Sequence, residues 1–83
     1  MKVKVLFFGA TADSVGEREV RLELPDGTFA DKALEEILDK CEGLRENHDV
    51  GQLHFSINQE YSNGKETICD GDELAVFTAV SGG

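Results

Sequence analysis

Hydrophobic alternation marks both ends of the chain, and a single amphipathic helical pattern lies between them. From Lys2 to Phe8, a period of two puts Val3, Val5 and Phe7 on one side and Lys4, Leu6 and Phe8 on the other. Leu74 to Thr78 repeats the pattern, with Leu74 and Val76 on one side and Ala75 and Phe77 on the other. In the middle, Ala30, Leu34, Ile37, Leu38 and Cys41 recur at three- and four-residue spacing, the stripe of a helix with one buried face. Asp31, Lys32, Glu35, Glu36, Asp39 and Lys40 fill the rest of that helix. A chain of 83 residues has room for one thin core, burying about 60–65% of its unfolded surface. The two strands must therefore share that core with the one helix.

Shorter elements complete the order. Gly9 to Gly16 reads as a loop with room for a turn of helix, and Glu19 to Leu24 alternates charge with hydrophobe, as a strand with one wet face does. Pro25-Asp26-Gly27 ends that strand. Thr28 is placed to cap the helix, Asp31 to complete a capping box, and Gly43 to stop it. Leu44 to Gln52 is a charged connection with a short irregular turn. His54 to Asn58 makes a third strand with Phe55 and Ile57 inward, Ser62-Asn63-Gly64 a turn, and Glu66 to Ile68 a brief edge strand. Asp70-Gly71-Asp72 turns into the last strand. Strand, strand, helix and further strands is the order of an α+β, β-grasp (ubiquitin-like) domain, a mixed sheet packed on one main helix. We assign this domain to residues 1–78 and a flexible C-terminal tail to 79–83, with the first and last strands parallel at the sheet centre.

The alternation also assigns faces. If Val3, Val5, Phe7, Leu74 and Val76 meet the helix, then Leu6, Phe8, Ala75 and Phe77 point to the opposite side, which one helix cannot cover. An uncovered apolar patch with aromatic anchors is the composition of a partner-docking surface. The competing expectation is that the sheet curls enough to bury it.

Composition narrows the function. With 40% hydrophobic and 30% charged residues and one proline, this is a globular sequence. Eight Lys and Arg against seventeen Asp and Glu leave a net charge of −9, which argues against nucleic acid or an anionic membrane as partner. Such charge steers basic proteins towards the surface and equally serves solubility. No apolar run approaches the ~18–20 residues of a membrane span, and Met1-Lys2-Val3-Lys4 passes straight into a strand with no targeting signal. Cys41 and Cys69 lack metal or redox spacing, so reduced thiols and a cytoplasmic location are expected. Cys41 belongs to the helix stripe, and Cys69 is an incidental thiol at a turn. His48 and His54, read as a solvated loop histidine and a strand-edge histidine, are too isolated for a metal site or a base. Gly9, Gly16 and Gly27 form no phosphate-binding pattern, and no bound cofactor or metal is expected.

The sequence closes on Val80-Ser81-Gly82-Gly83. Glycine has no Cβ, so Gly82-Gly83 can thread a channel too narrow for side chains. From Ala79 to Gly83 the arm extends roughly 16 Å at about 3.3 Å per residue. The carboxylate of Gly83 could then enter a partner's active site while the domain stays outside. Frayed, glycine-containing termini are also common, so the tail does not decide the matter alone.

Further residues do. Lys4-Val5-Leu6-Phe7-Phe8, Val15-Gly16, the strand from Glu19 to Leu24, Ile57-Asn58-Gln59-Glu60-Tyr61, Asp70-Gly71-Asp72-Glu73-Leu74-Ala75 and Val80-Ser81-Gly82-Gly83 together resemble the MoaD-like sulfur carriers. These are the ubiquitin-like small subunits of molybdopterin synthase, related to ThiS. The Asp-Gly-Asp-Glu turn followed at fixed distance by Gly-Gly is the specific part. The resemblance implies that a ubiquitin-activating-type adenylyltransferase (MoeB-like), which binds the ATP, adenylates Gly83. The persulfide of a sulfur donor enzyme then displaces AMP to leave a thiocarboxylate. A large subunit (MoaE-like), assembled with the carrier as a heterotetramer, provides the pocket in which sulfur converts cyclic pyranopterin monophosphate to molybdopterin. On this reading the chain is no enzyme on its own. Two departures stand out: Thr78-Ala79 where the family usually has Pro-Pro, and Ala12-Asp13-Ser14 where it commonly has Arg-Glu.

Three other readings share these residues. An adenylated Gly83 captured by a lysine amine would make the chain a ubiquitin-like protein modifier. A carrier for another sulfur pathway, such as thiamine thiazole synthesis, is a second, although such carriers are usually shorter between the helix and the third strand. The third is an interaction module that binds through Leu6, Phe8 and Phe77 with inert glycines.

Overall fold

The computed structural model describes residues 1–78; the tail assigned to 79–83, with Val80, Ser81, Gly82 and Gly83, lies outside the described residues. In chain order the elements are β1 (Lys2–Phe7), α1 (Ala10–Val15), β2 (Glu19–Glu23), α2 (Ala30–Lys40) and α3 (Glu42–Asn47). A 3-10 turn (Val50–Gln52), β3 (Leu53–Ile57), β4 (Glu60–Tyr61) and β5 (Glu73–Thr78) follow. The five strands form one mixed sheet in the order β2-β1-β5-β3-β4. β1 and β5 are parallel neighbours in the middle, with Val5 opposite Leu74 and Phe7 opposite Val76. Every other pair is antiparallel. This is the mixed sheet on one main helix that the order of elements implied.

The inner face of the sheet carries the expected side chains. Val3, Val5, Phe7, Leu74 and Val76 are buried together with Phe55, against Ala30, Ala33, Ile37, Leu38 and Cys41. Fully burying one such aliphatic side chain contributes about 1.5–3 kcal/mol, so this layer drives the fold. Ala33 belongs to the contact face although the spacing argument passed over it, and Leu34 sits half-buried at the margin.

Four local expectations are corrected. Phe29, not Thr28, is the N-cap of α2, and it makes no side-chain capping bond. The Thr28 hydroxyl instead donates to the Pro25 carbonyl (2.6 Å), closing the preceding turn. The first amides of α2 donate to a distant loop: Ala30 N–H to the Glu66 carbonyl (2.8 Å) and Asp31 N–H to that of Gly64 (3.0 Å). Glu66 to Ile68 is consequently no strand: its ladder with the start of α2 is a single bridge between Phe29 and Thr67, beside which Ile68 N–H donates to the Thr28 carbonyl (2.9 Å) and the Ile68 side chain enters the core. The edge strand beside β3 is β4, joined to it by a turn with Asn58 and Gln59 at φ of 51° and 73°. Two consecutive positive φ values define the tight hairpin turn that normally recruits glycine.

Gly43 does not stop the long helix. α2 has already ended at Lys40, and Gly43 lies inside α3. A Cβ at this position would run into the Ser14 carbonyl oxygen of α1, so the glycine permits the close approach of two helices. Leu44, one residue on, is wholly buried, and the Ser14 hydroxyl meets His48 Nε2 at 2.7 Å. The 44–52 connection is therefore an anchored helix followed by a 3-10 turn, and His48 is half-buried rather than solvated.

Candidate functional site

Parity along the central strands fixes the other face. Leu6 of β1, Ala75 and Phe77 of β5, and His54 and Ser56 of β3 all point away from the helix, with Leu6 opposite Ala75, Ala75 opposite Ser56 and Phe77 opposite His54. Phe8 follows at the end of β1 and is 53% exposed. Leu6, Phe8, Ala75 and Phe77, the four residues proposed from the sequence for docking, line one open concavity of about 770 Å³. Its rim reaches Thr78, the last described residue.

Exposure within the patch departs from expectation in graded fashion. Phe8 is open, Leu6 and Phe77 are half-buried, and Ala75 is buried at 9% because its short side chain lies below its taller neighbours. The sheet neither covers the face nor leaves it flat. Two residues that sequence spacing did not associate with the patch join it. The His54 ring stacks on Phe77 (centroids 5.6 Å, 21° between planes), and Tyr61 approaches Phe77 at 5.8 Å and His54 at 5.8 Å. His54 is paired with Phe77 of β5, and the short β4 beside β3 covers only Ser56 and Ile57. Tyr61 is 73% exposed, so the trio presents aromatic surface outward, the kind of group that supplies binding energy at interface centres. Only the register of β3 on β5, through His54–Phe77, could have revealed this.

The charged side chains of this face are balanced. Lys2, Lys4 and Arg21 share it with Glu19, Glu23 and Glu73 by strand parity. Three cations offset three anions, so the −9 of the whole chain belongs to the remaining surface. A neutral apolar patch on an acidic body favours contact through this face with a partner that the body does not repel.

At the opposite end of β5, the Asp70-Gly71-Asp72-Glu73 motif proves structural. Lys2 N–H donates to Asp70 Oδ1 (2.7 Å), Cys69 N–H to Asp72 Oδ2 (2.8 Å), and Asn58 Nδ2 to Asp72 Oδ1 (3.0 Å). Glu73 N–H donates to Asn58 Oδ1 (3.0 Å), and Gly71 takes a φ of 85°, which glycine alone adopts freely. The two aspartates tie β1, the β3–β4 hairpin and the turn before β5 together, and neither lines the concavity.

Other reactive groups have ordinary roles. Burial pushes the Cys41 thiol above the usual range, which keeps it protonated and inert. Cys69 is exposed at the turn. Among the described residues, no group of three or more His, Cys, Asp or Glu side chains could hold a metal ion, and no helix is long and apolar enough to cross a membrane.

Comparison with known proteins adds to this geometry. Residues 5–83 match the ThiS family. The chain is 34% identical to the molybdopterin synthase sulfur carrier subunit of Chlamydomonas reinhardtii, with all of both chains covered. Among solved structures, small archaeal modifier protein 1 from Haloferax volcanii superposes with a TM-score of 0.85 at 25% identity, again over all of both chains. A chain in the complex of subunits 1 and 2 of the molybdopterin-converting factor of Helicobacter pylori matches over its full length as well, with 30% identity and a TM-score of 0.71.

Proposed function

The chain belongs to the ThiS family, and on that premise we propose that it is a sulfur carrier, the small subunit of a molybdopterin synthase, working through the carboxylate of Gly83. The observation that carries the proposal is the match to a molybdopterin synthase sulfur carrier subunit along the whole of both chains. The geometry supports it: β5 runs to Thr78 at the rim of an apolar face suited to docking.

The chemistry asks little of the domain itself. A carboxylate is a poor electrophile, so Gly83 must first attack the α-phosphorus of ATP on a ubiquitin-activating-type adenylyltransferase, releasing pyrophosphate and forming an acyl adenylate. A persulfide sulfur of a donor enzyme then attacks the acyl carbon and AMP leaves. A thiol cleaves the resulting acyl disulfide, itself being oxidised to a disulfide, and the glycyl thiocarboxylate remains. Carried into the pocket of a large subunit, that sulfur is a nucleophile held at high effective concentration and away from water. The same complex would contain two copies of each subunit. Leu6, Phe8, Ala75 and Phe77, with His54 and Tyr61, are the residues we assign to docking, and Val80, Ser81 and Gly82 to the arm.

The intact mass of the chain, purified with its own terminus from cells that keep its activating and sulfur-donating enzymes, tests the proposal. A fraction heavier by the exchange of one oxygen for sulfur, localised to Gly83, is expected. The likeness to small archaeal modifier protein 1 favours one second reading, conjugation of Gly83 to lysines. An unmodified mass, with Gly83 recovered on lysines of other proteins, would establish that reading instead.

A further inference from the structure

A single hydroxyl interrupts the hydrogen-bond ladder between the two central strands. In a parallel pair the bonds are evenly spaced, and near its start Lys4 N–H donates to the Asp72 carbonyl, one residue before its partner Glu73 (3.1 Å). Continued by the same register, Phe8 N–H would donate to the carbonyl of Val76. It does not. Phe8 N–H donates to Thr11 Oγ1 (3.0 Å), and the Thr11 hydroxyl lies 2.8 Å from the Val76 carbonyl oxygen as its donor, with the Phe8 carbonyl as a second acceptor at 2.9 Å. Thr11 is wholly buried, so this is no casual surface contact. The reversal that brings it there depends on Gly9, whose φ of 54° and ψ of −120° lie where residues with a Cβ are strained.

We propose that Thr11 is a positioning residue: its hydroxyl stands in for the last rung between β1 and β5 and fixes the direction in which β5 delivers the residues after Thr78. The Val76–Phe77 peptide is held on one side by Thr11 and on the other by the pairing of Phe77 with His54. Without the hydroxyl, either the Phe8 N–H and Val76 C=O are orphaned, or the strands close up to bond directly. Closure would swing Phe77 and Thr78 towards β1 and narrow the concavity they line with Phe8. The consequence for Gly83 rests on the carrier reading; the rung itself does not.

Thr11→Val, which keeps the shape and removes the hydroxyl, and Thr11→Ser, which restores it, test the proposal in the full chain. With the chain's own adenylyltransferase and ATP, Thr11→Val should lower kcat for pyrophosphate release about 10-fold and raise KM for the carrier by clearly less, since the shifted face still presents its apolar side chains while the residues after Thr78 are misdirected. Thr11→Ser should recover most of the loss. An unchanged kcat, a change in KM alone, or a Thr11→Ser variant as slow as Thr11→Val would overturn it. A structural measurement stands apart from the function. In the unsubstituted chain the Thr11 hydroxyl proton should exchange slowly and show a magnetic cross-peak to the Phe8 amide. A scalar coupling across a direct Phe8 N–H to Val76 carbonyl bond would overturn the rung, even if Thr11→Val failed to fold. If the unsubstituted chain were never adenylated, the carrier reading would fail while this measurement still judged Thr11.

Discussion

The two ends of β5 are held by different means. At its start, Asp70, Asp72 and Asn58 place carboxylate and amide groups on backbone N–H donors from β1, the 69–72 turn and β5 itself. At its finish, the strand leans on β3 through Phe77 and His54, on Thr11 through one hydroxyl, and otherwise faces an open apolar concavity. Charge-assisted bonds are directional and strong, whereas an uncovered aromatic surface gains most when something else covers it. The first end makes the fold and the second is available for work. A motif can therefore be the most recognisable part of a family pattern, as Asp-Gly-Asp-Glu is, and still commit its two aspartates to backbone N–H groups and the Asn58 amide.

Substitutions at the two ends should separate these roles, and the largest effect belongs to the open end. One residue added after Gly83 should abolish thiocarboxylate formation, because the acyl group to be activated no longer ends in glycine, while melting temperature stays unchanged. Sulfur transfer that survived the addition would remove the carrier reading and leave a binding module. Next in size, Phe77→Asp should weaken docking to the large subunit by about 2 kcal/mol, roughly 30-fold in Kd, the cost of losing an aromatic anchor. Titration calorimetry with the purified partner measures this. Loss of stability should stay near 1 kcal/mol, because Phe77 is only half-buried and gives up its ring contacts with His54 and Tyr61. If the variant unfolds instead, the patch is core and the contrast between the ends collapses.

Asp72→Ala tests the other end. It removes acceptors from Cys69 N–H and Asn58 Nδ2, and bonds to a charged group at a partly exposed site make a loss of about 1–2 kcal/mol the expected outcome. For a domain of this size that lowers Tm by about 5–15 °C. Docking and transfer per folded molecule should be unaffected. A variant with full stability and impaired transfer would reverse the assignment of roles.

The legibility of the chain follows the same division. Period-two patterns were enough to place β1 and β5 and to sort Leu6, Phe8, Ala75 and Phe77 from the core, because burial on one face of a sheet is written locally. What escaped was written at long range. The turn at Asn58 and Gln59 lacks glycine, and its support comes from Asp72, fourteen residues away. The cap of α2 comes from the carbonyls of Gly64 and Glu66 rather than from Thr28. α3 buries a single leucine, Leu44, among charged neighbours, which produces no periodicity to detect. His54 and Tyr61 joined the aromatic patch through strand register, which no one segment specifies.

The smallest expected effect sharpens the distinction between backbone held by carboxylates and backbone held by a hydroxyl. Glu66 accepts from the Ser62 hydroxyl (2.7 Å) and from Asn63 N–H (3.1 Å), and the Ser62 bond, followed by backbone N–H bonds, holds its carboxyl below the usual glutamate range. A depressed pKa in the folded state means that these bonds add stability above the unfolded-state value and lose it as pH falls through the folded one. Protonation should therefore loosen the 62–66 loop, whose Gly64 and Glu66 carbonyls serve the start of α2, at a pH below the ordinary glutamate titration. The protection of the Asn63 and Ala30 amides against exchange, taken relative to the intrinsic rate at each pH, should fall through that range, and Glu66→Gln should flatten the response. The Phe8 amide, bonded to a hydroxyl with no proton to gain, should show no such step. A step at Phe8 of the same midpoint would mean that acid opens the whole sheet at once, and that the two kinds of anchor are one cooperative unit.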